Sequence, residues 1–267
     1  RNFLKTGGIA LLGSLATGSA MALTTPGALG GEGADKKAAV ALAMNHFGVS
    51  EADLKKVLAA ALEKGGDYAD LFFEHTISNS IRLMDGAVNN SYSNIDYGVG
   101  VRVLTGDQSG YAYVENITVE DMLKAARTAA RIASANKGNK PLNLTEKELK
   151  KNYYTVASPW EEVSLKDKMP YLQKLNDRIF ALDKRVHKVQ ASQSDTTSHI
   201  FFCNSEGVMF YDYRPMVTLG AVCIMEEDGK TENGYAARAY RRGFDFLSDE
   251  VVDVIAREAV DQTSLLF

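Results

Sequence analysis

The sequence predicts an α+β fold made of two successive units, each an antiparallel β-meander flanked by helices. Segments in which apolar and polar residues alternate are separated by turns rich in Gly and Asp, as in antiparallel sheets with one buried face. Segments with apolar residues three and four positions apart precede and follow each group of alternating segments. This second pattern is typical of amphipathic helices.

The first unit is assigned to residues 34–138 and begins with two helices. Residues 34–47 form the first, because their apolar residues share one helical face. Ser50 is predicted to cap the second helix, and Asp53 stands at the third helical position to complete a capping box. Thr118 is predicted to cap the long helix that closes the unit.

Short strands are predicted between these helices. They cover residues 68–76, 81–84, 87–93, 97–104 and 110–114. Asp85-Gly86 is a dipeptide typical of two-residue hairpin turns, and Gly106-Asp107 forms a further turn.

The second unit is assigned to residues 139–267. Its start lies within a polar segment, residues 136–151, whose composition is typical of a domain boundary. A helix is predicted from Ser164 to about Asp183, with Pro170 bending it or delaying its start. Strands are then predicted at residues 186–193, 199–204, 208–213, 217–225 and 230–240, and Ser248 caps a final helix.

The composition is that of a globular protein with enough apolar material for a sizeable core. Of its 267 residues, 45% are hydrophobic and 24% are charged, and the net charge is -4. A mildly acidic chain without a basic stripe argues against nucleic acid as a partner. Cys203 and Cys223 are interpreted as buried free thiols, and a disulfide between neighbouring strands stays open as the alternative for an exported protein.

Residues 1–33 are interpreted as an export signal and linker. Arg1 and Lys5 precede a Gly-rich apolar run, which ends in the small-x-small cleavage pattern at residues 20–22. The segment is similar to a twin-arginine signal that lacks one arginine. We therefore expect cleavage near Ala22, a periplasmic location and no stable membrane span, with a cytoplasmic protein as the alternative. The abrupt ends predict a piece of a longer protein.

No catalytic, cofactor-binding or metal-binding residue is predicted in this chain. Its histidines, His46, His75, His187 and His199, include no pair three or four residues apart, so a helical metal site is not expected. Gly98-Val99-Gly100 lacks the third glycine of a dinucleotide-binding loop. We interpret these glycines as a bulge or a close backbone approach, and room for a peptide or a neighbouring subunit is the alternative.

Two further segments have a structural and a functional interpretation. Asp70 and Glu74 fall on one face of a regular strand, as a paired acid–base site would require, but a solvated strand face is favoured. Residues 210–215, with the sequence FYDYRP, could contact a peptide, but a half-buried strand that ends at a proline is favoured.

Several sequence words resemble, in the same order, those of the TldD/PmbA family of metallopeptidases. They include GGDYADLFFE at residues 65–74, DYGVGVR at 96–102, GYAY at 110–113, NSEG at 204–207 and RRGFD at 241–245. The resemblance covers roughly residues 51–267. The first two words are more similar to the TldD branch than to the PmbA branch.

The resemblance implies the N-terminal and middle domains of a TldD-type metallopeptidase, which degrades or trims unfolded or flexible peptides. The expected partners are a peptide substrate and a PmbA-type subunit in a heterodimer, or further copies in a homo-oligomer. The catalytic HExxxH helix and its zinc are expected beyond Phe267, so this chain alone should be inactive and free of zinc. The alternatives are a PmbA-like non-catalytic subunit and an exported α+β binding module without peptidase activity.

Overall fold

The structure is a computed structural model that describes residues 36–133, 143–147 and 156–267. The predicted export signal therefore lies outside the described residues, as does most of the predicted domain boundary. Within the described ranges, no helix is long and apolar enough to cross a membrane.

The described residues form helices α1 to α5 and strands β1 to β7. The helices are α1 (Lys36–Phe47), α2 (Glu51–Leu62), α3 (Val119–Ile132), α4 (Leu165–Leu182) and α5 (Asp249–Ser264). The strands are β1 (Tyr68–Met84), β2 (Ala87–Thr105), β3 (Gln108–Val114), β4 (Thr145–Glu146), β5 (Val186–Asn204), β6 (Val208–Glu227) and β7 (Lys230–Tyr240). Short 3-10 helices cover Trp160–Glu162 and Phe244–Phe246.

All seven strands belong to one sheet, in the order β3-β2-β1-β5-β6-β4, and β7 pairs with β6 as well. The predicted α+β class is confirmed. The strands of the two predicted units meet where β1 pairs antiparallel with β5, so both units contribute to a single sheet. β4, which lies in the polar segment 136–151, pairs parallel with the start of β6.

The strands are longer than the sequence predicts. β1 continues through residues 77–80, opposite residues 194–197 of β5, where the sequence predicts interruptions. The polar side chains of this stretch bond across the strands, as when the Ser78 Oγ lies 3.2 Å from the Thr196 Oγ1. Because hydroxyl pairs stabilise a sheet as apolar pairs do, the strand persists without the apolar alternation that marks its ends.

One face of the sheet carries two separate hydrophobic cores. The first lies under α1, α2 and α3 and includes Phe73 of β1 and Phe201 of β5. The second lies under α4 and α5 and includes Leu83 of β1 and Ala191 of β5. Since alternate residues of a strand share a face, the odd-numbered residues of β1 and β5 between the cores also face the helices.

The predicted turns and caps position these elements. Asp85 and Gly86 both have positive φ, 51° and 78°, as a type I′ hairpin turn requires. The Ser50 Oγ accepts a hydrogen bond from the Asp53 backbone N at 3.2 Å, so the predicted capping box starts α2. α4 continues through Pro170, which does not end the helix.

α3 approaches the sheet closely at Gly110 of β3. A Cβ atom at this position would overlap the backbone O of Ala129, and the helix backbone would have to move. At Gly100 of β2, by contrast, the three atoms nearest to a Cβ atom would all belong to the Tyr111 side chain. That ring is 57% exposed and can turn away.

Gly110→Ala should therefore lower the free energy of unfolding by about 2 kcal/mol, because overpacking displaces α3 from the sheet. Gly100→Ala is the matched control and should unfold close to the wild-type urea midpoint. Urea unfolding followed by the fluorescence of the buried Trp160 measures both variants. Equal midpoints for the two variants would contradict the close approach of α3.

Candidate functional site: a histidine cluster in a polar seam

A polar seam separates the two hydrophobic cores on the helix-bearing face of the sheet. It consists of His75 and Asn79 in β1, and Gln193, Asp195, Thr197 and His199 in β5. The four residues of β5 are only 1% to 8% exposed. Buried polar groups are costly unless they are bonded, so the partners of the seam determine what it can do.

The strand register brings histidines together in this seam. His75 lies directly opposite His199, and their ring centroids are 5.9 Å apart. His46, in the last turn of α1, stacks over both rings at centroid distances of 5.0 Å from His75 and 5.1 Å from His199. We call His46, His75 and His199 the histidine cluster.

Hydrogen bonds fix the rings of the histidine cluster. The His46 Nε2 lies 2.8 Å from the His75 Nδ1, so one of the two nitrogens donates and the other accepts. The His199 Nδ1 lies 2.7 Å from the Tyr211 hydroxyl, and its Nε2 lies 3.2 Å from the Glu161 Oε1. Both nitrogens of His199 are therefore engaged by protein groups.

Glu161 brings a carboxylate to the cluster from the 3-10 helix Trp160–Glu162. Its Oε2 accepts hydrogen bonds from the Tyr213 hydroxyl at 3.1 Å and from the Thr197 Oγ1 at 3.2 Å. Burial acts to raise the pKa of Glu161, but the hydrogen bonds from His199 and Tyr213 lower it below its ordinary value. Glu161 therefore stays charged at neutral pH.

The imidazoles of His46 and His75 are held neutral. Burial lowers the pKa of His46 from 6.5 to about 4, and the neighbouring His199 and His75 add to this effect. The pKa of His75 is also lowered, first by burial and then by His199, while Glu161 acts in the opposite direction. Protons therefore enter these two rings less readily than they enter a solvent-exposed histidine.

A buried ion pair fills the rest of the seam. The Lys168 Nζ of α4 lies 2.5 Å from the Asp195 Oδ2, and the two side chains are 4% and 1% exposed. Asp195 also accepts hydrogen bonds from the Asn79 Nδ2 at 3.0 Å and the Gln193 Nε2 at 2.9 Å. The Lys168 Nζ lies 5.3 Å from the centroid of the Trp160 ring, which adds a cation–π contact. This pair ties α4 to the sheet.

The histidine cluster is held by hydrogen bonds between its own rings and with Tyr211 and Glu161. Over residues 36–133, 143–147 and 156–267, no group of three or more His, Cys, Asp or Glu side chains could hold a metal ion. In the cluster, His46 and His75 bond to each other, and His199 bonds to Tyr211 and Glu161. The nitrogens thus make separate hydrogen bonds and do not converge on one point, as metal ligands would have to.

The predicted acid–base alternative at Asp70 and Glu74 is not assembled. Asp70 accepts two hydrogen bonds from the Arg102 side chain, at 2.9 Å and 2.6 Å. The Glu74 Oε1 accepts a hydrogen bond from the Thr76 Oγ1 at 2.6 Å. Each carboxylate has its own partner, so the two do not share a proton.

The structure also places the other residues that the sequence singles out. A Cβ atom at Gly98 would meet the backbone O of Val114 at 2.5 Å, so this glycine marks a close backbone approach, as predicted. Cys203 and Cys223 are buried free thiols. The fourth histidine, His187, is exposed, and its Nδ1 lies 3.7 Å from the Glu226 Oε2, outside the histidine cluster.

Sequence reasoning missed the histidine cluster because it searched for histidines at helical spacing. The contact between His75 and His199 depends on the pairing of β1 with β5, which no local pattern reveals. One signal was available. Polar residues occupy every second position of β5 from Gln193 to His199, on the face that is apolar at both ends of the strand.

Lys168→Met should lower the free energy of unfolding by about 3 kcal/mol, because it leaves the Asp195 charge buried without its ion partner. Lys174→Met is the matched control on the same helix. Lys174 forms an exposed pair with Asp249, and its loss should leave stability nearly unchanged. Urea unfolding measures both variants, and a Lys168→Met protein as stable as Lys174→Met would contradict the role of the buried pair.

Comparisons of the sequence with known families match both halves of the chain. The model of PmbA/TldA metallopeptidase domain 1 matches residues 69–133, and the model of the PmbA/TldA metallopeptidase central domain matches residues 158–267. A metalloprotease TldD homolog of Haemophilus influenzae is 32% identical over 206 residues, which are 73% of this chain and 42% of that protein. The chain spans less than half the length of the curated relatives it matches.

Solved structures share the fold. A Thermotoga maritima protein described as a candidate modulator of a DNA gyrase is similar with a TM-score of 0.62 and 18% identity, over 80% of this chain and 47% of that one. TldE from Thermococcus kodakarensis is similar with a TM-score of 0.56 and 17% identity, over 79% of this chain and 47% of that one. Because the models of both family domains match this sequence in order, this chain belongs to the PmbA/TldD family of metallopeptidases.

Proposed function

We propose that this chain is the non-catalytic N-terminal and middle portion of a TldD-like zinc metallopeptidase that degrades or trims unfolded or flexible peptides. The observation that carries the proposal is the succession of the two family domains in a chain that is 32% identical to a metalloprotease TldD homolog. In this proposal the zinc ligands belong to a further domain of the full-length protein. The zinc there would activate a water molecule for attack on the peptide bond.

The open edge of the sheet supports a role in contacting a peptide or a second subunit. β3 pairs only with residues 99–105 of β2, and residues 87–98 have β1 as their one strand partner among the described residues. Tyr92 and Ile95 on this stretch are well exposed. An extended chain could add to this edge through backbone hydrogen bonds, which do not depend on its sequence.

We also propose that the full-length protein works with a PmbA-type subunit or as a homo-oligomer. The similarity of the fold to TldE supports a place in such an assembly, and it equally favours the second candidate, a PmbA-like non-catalytic subunit. Export to the periplasm is proposed from the signal-like residues 1–33 alone.

Peptidase activity is tested with the full-length protein, with and without the partner subunit, on an unstructured fluorogenic peptide. We expect cleavage that a chelator abolishes and zinc restores, because the metal-bound water carries the reaction. Residues 1–267 alone should show neither cleavage nor stoichiometric zinc in elemental analysis.

His46→Phe in the full-length protein is the matched control for the metal. This change should leave the zinc content unaltered, because His46 bonds to His75 in the histidine cluster. Cleavage that survives the chelator would contradict the metallopeptidase proposal. Stoichiometric zinc in residues 1–267 would contradict the assignment of the metal to a further domain.

A further inference from the structure

We propose that the histidine cluster is a pH-operated clasp, which holds α1 on the sheet at neutral pH and releases it in acid. The inference goes beyond the proposed peptidase function and does not rest on it. It is drawn from the packing of α1, from the charges that face the cluster and from the elements that carry its members, two paired strands and one helix.

α1 is attached to the sheet by a small apolar face and by His46. Val40, Ala43 and Phe47 are buried, and the Phe47 ring lies 5.5 Å from Phe73. His46, which precedes Phe47, is exposed on its outer side and stacks inward on the two strand histidines. The last turn of α1 therefore carries both the apolar anchor and the titratable contact.

Few charges face the cluster. On the 3-10 helix, the Glu161 carboxylate contacts His199. On β6, Tyr211 and Tyr213 face His199, and burial raises the pKa of both phenols, so both stay neutral. On β2, Tyr97 meets His75 edge-on at 5.4 Å, and burial raises its pKa as well.

The groups that face the cluster can balance one positive charge but not several. The Glu161 carboxylate, whose Oε1 lies 3.2 Å from the His199 Nε2, can balance one positive charge. A further proton on His46 or His75 would place a second positive charge on a ring that stacks against the first. The facing groups just named include no further carboxylate to balance it. Two positive charges at this short distance repel each other strongly in a partly buried site. The cluster therefore resists protonation as long as it stays assembled.

His46 is the member that can leave. His75 and His199 are fixed in the paired strands β1 and β5, whereas His46 lies in the last turn of a helix whose departure would break no strand pairing. Once α1 is released, His46 can bind a proton with the ordinary histidine pKa near 6.5. In the docked helix its pKa is about 4.

The sign of the pH effect follows from this difference. Between about pH 6.5 and pH 4 the released form binds more protons than the docked form, so acid favours release and neutral pH favours docking. From about pH 7.5 to about pH 5 the ratio of released to docked α1 should rise by roughly tenfold, after allowance for the solvent that screens the exposed side of His46.

Release would uncover a defined surface on the helix-bearing face of the sheet. The rings of His75 and His199 would lose the His46 ring that stacks on them. Phe73 and Phe201 would lose their contacts with Phe47. The clasp thus couples proton uptake to exposure of a mixed aromatic and imidazole surface.

Hydrogen exchange measured by mass spectrometry on the 267-residue chain tests this inference. Protection factors are compared at about pH 7.5 and about pH 5 after correction for intrinsic exchange rates. Residues 36–47 should lose roughly tenfold in protection at the lower pH. Residues 51–62 in α2 report on general unfolding and should keep their protection.

Two variants at one position and one control identify the responsible group. His46→Phe keeps an aromatic ring on the stack but cannot be protonated, and His46→Gln is the second variant in case the phenylalanine packs poorly. Both should lose most of the pH response of α1. His187→Gln removes the exposed histidine outside the cluster and should keep the full response.

Three results would overturn the clasp. The first is equal protection of α1 at both pH values in the wild-type chain. The second is a response in both His46 variants as large as that of the wild type. The third is a parallel loss of protection in α2, which would show acid unfolding of the whole first core instead of a local release.

Discussion

The antiparallel pairing of β1 with β5 is the constraint on which the rest of the structure depends. It runs from Asp70 opposite Asn204 to Met84 opposite Gln190 and joins the two halves of the chain in one sheet. It also sets which residues face the helices, because a slip by one residue would turn every side chain of a strand to the other face. The two cores and the polar seam between them are consequences of this register.

The polar seam is the part of the sheet that lies between the two hydrophobic cores. Most of its polar side chains are buried, and they bond to one another and to side chains from the helices. Lys168 neutralises Asp195 at one position, and Glu161 faces His199 at another. The same need for bonding partners engages the nitrogens of the histidine cluster in hydrogen bonds.

Much of the fold was predictable because its signals are local. The cap at Ser50, the turn at Asp85-Gly86 and the apolar helix faces each depend on residues a few positions apart. The length of the strands was not predictable, because the polar residues between the apolar strand ends resemble loops until their cross-strand partners are known. The histidine cluster was missed for the same physical reason. Its members approach one another only through the pairing of β1 with β5 and the docking of α1.

The most direct test of the pairing of β1 with β5 and of the docking of α1 is to measure nuclear Overhauser contacts among the histidine rings at neutral pH. The register and the docking of α1 place the rings of His46, His75 and His199 within 5.0 to 5.9 Å of one another, centroid to centroid. Cross-peaks should therefore connect the ring protons of all three residues and should be absent to His187. Ring protons of His75 and His199 without any mutual contact would contradict the pairing of β1 with β5, and with it the seam and the clasp.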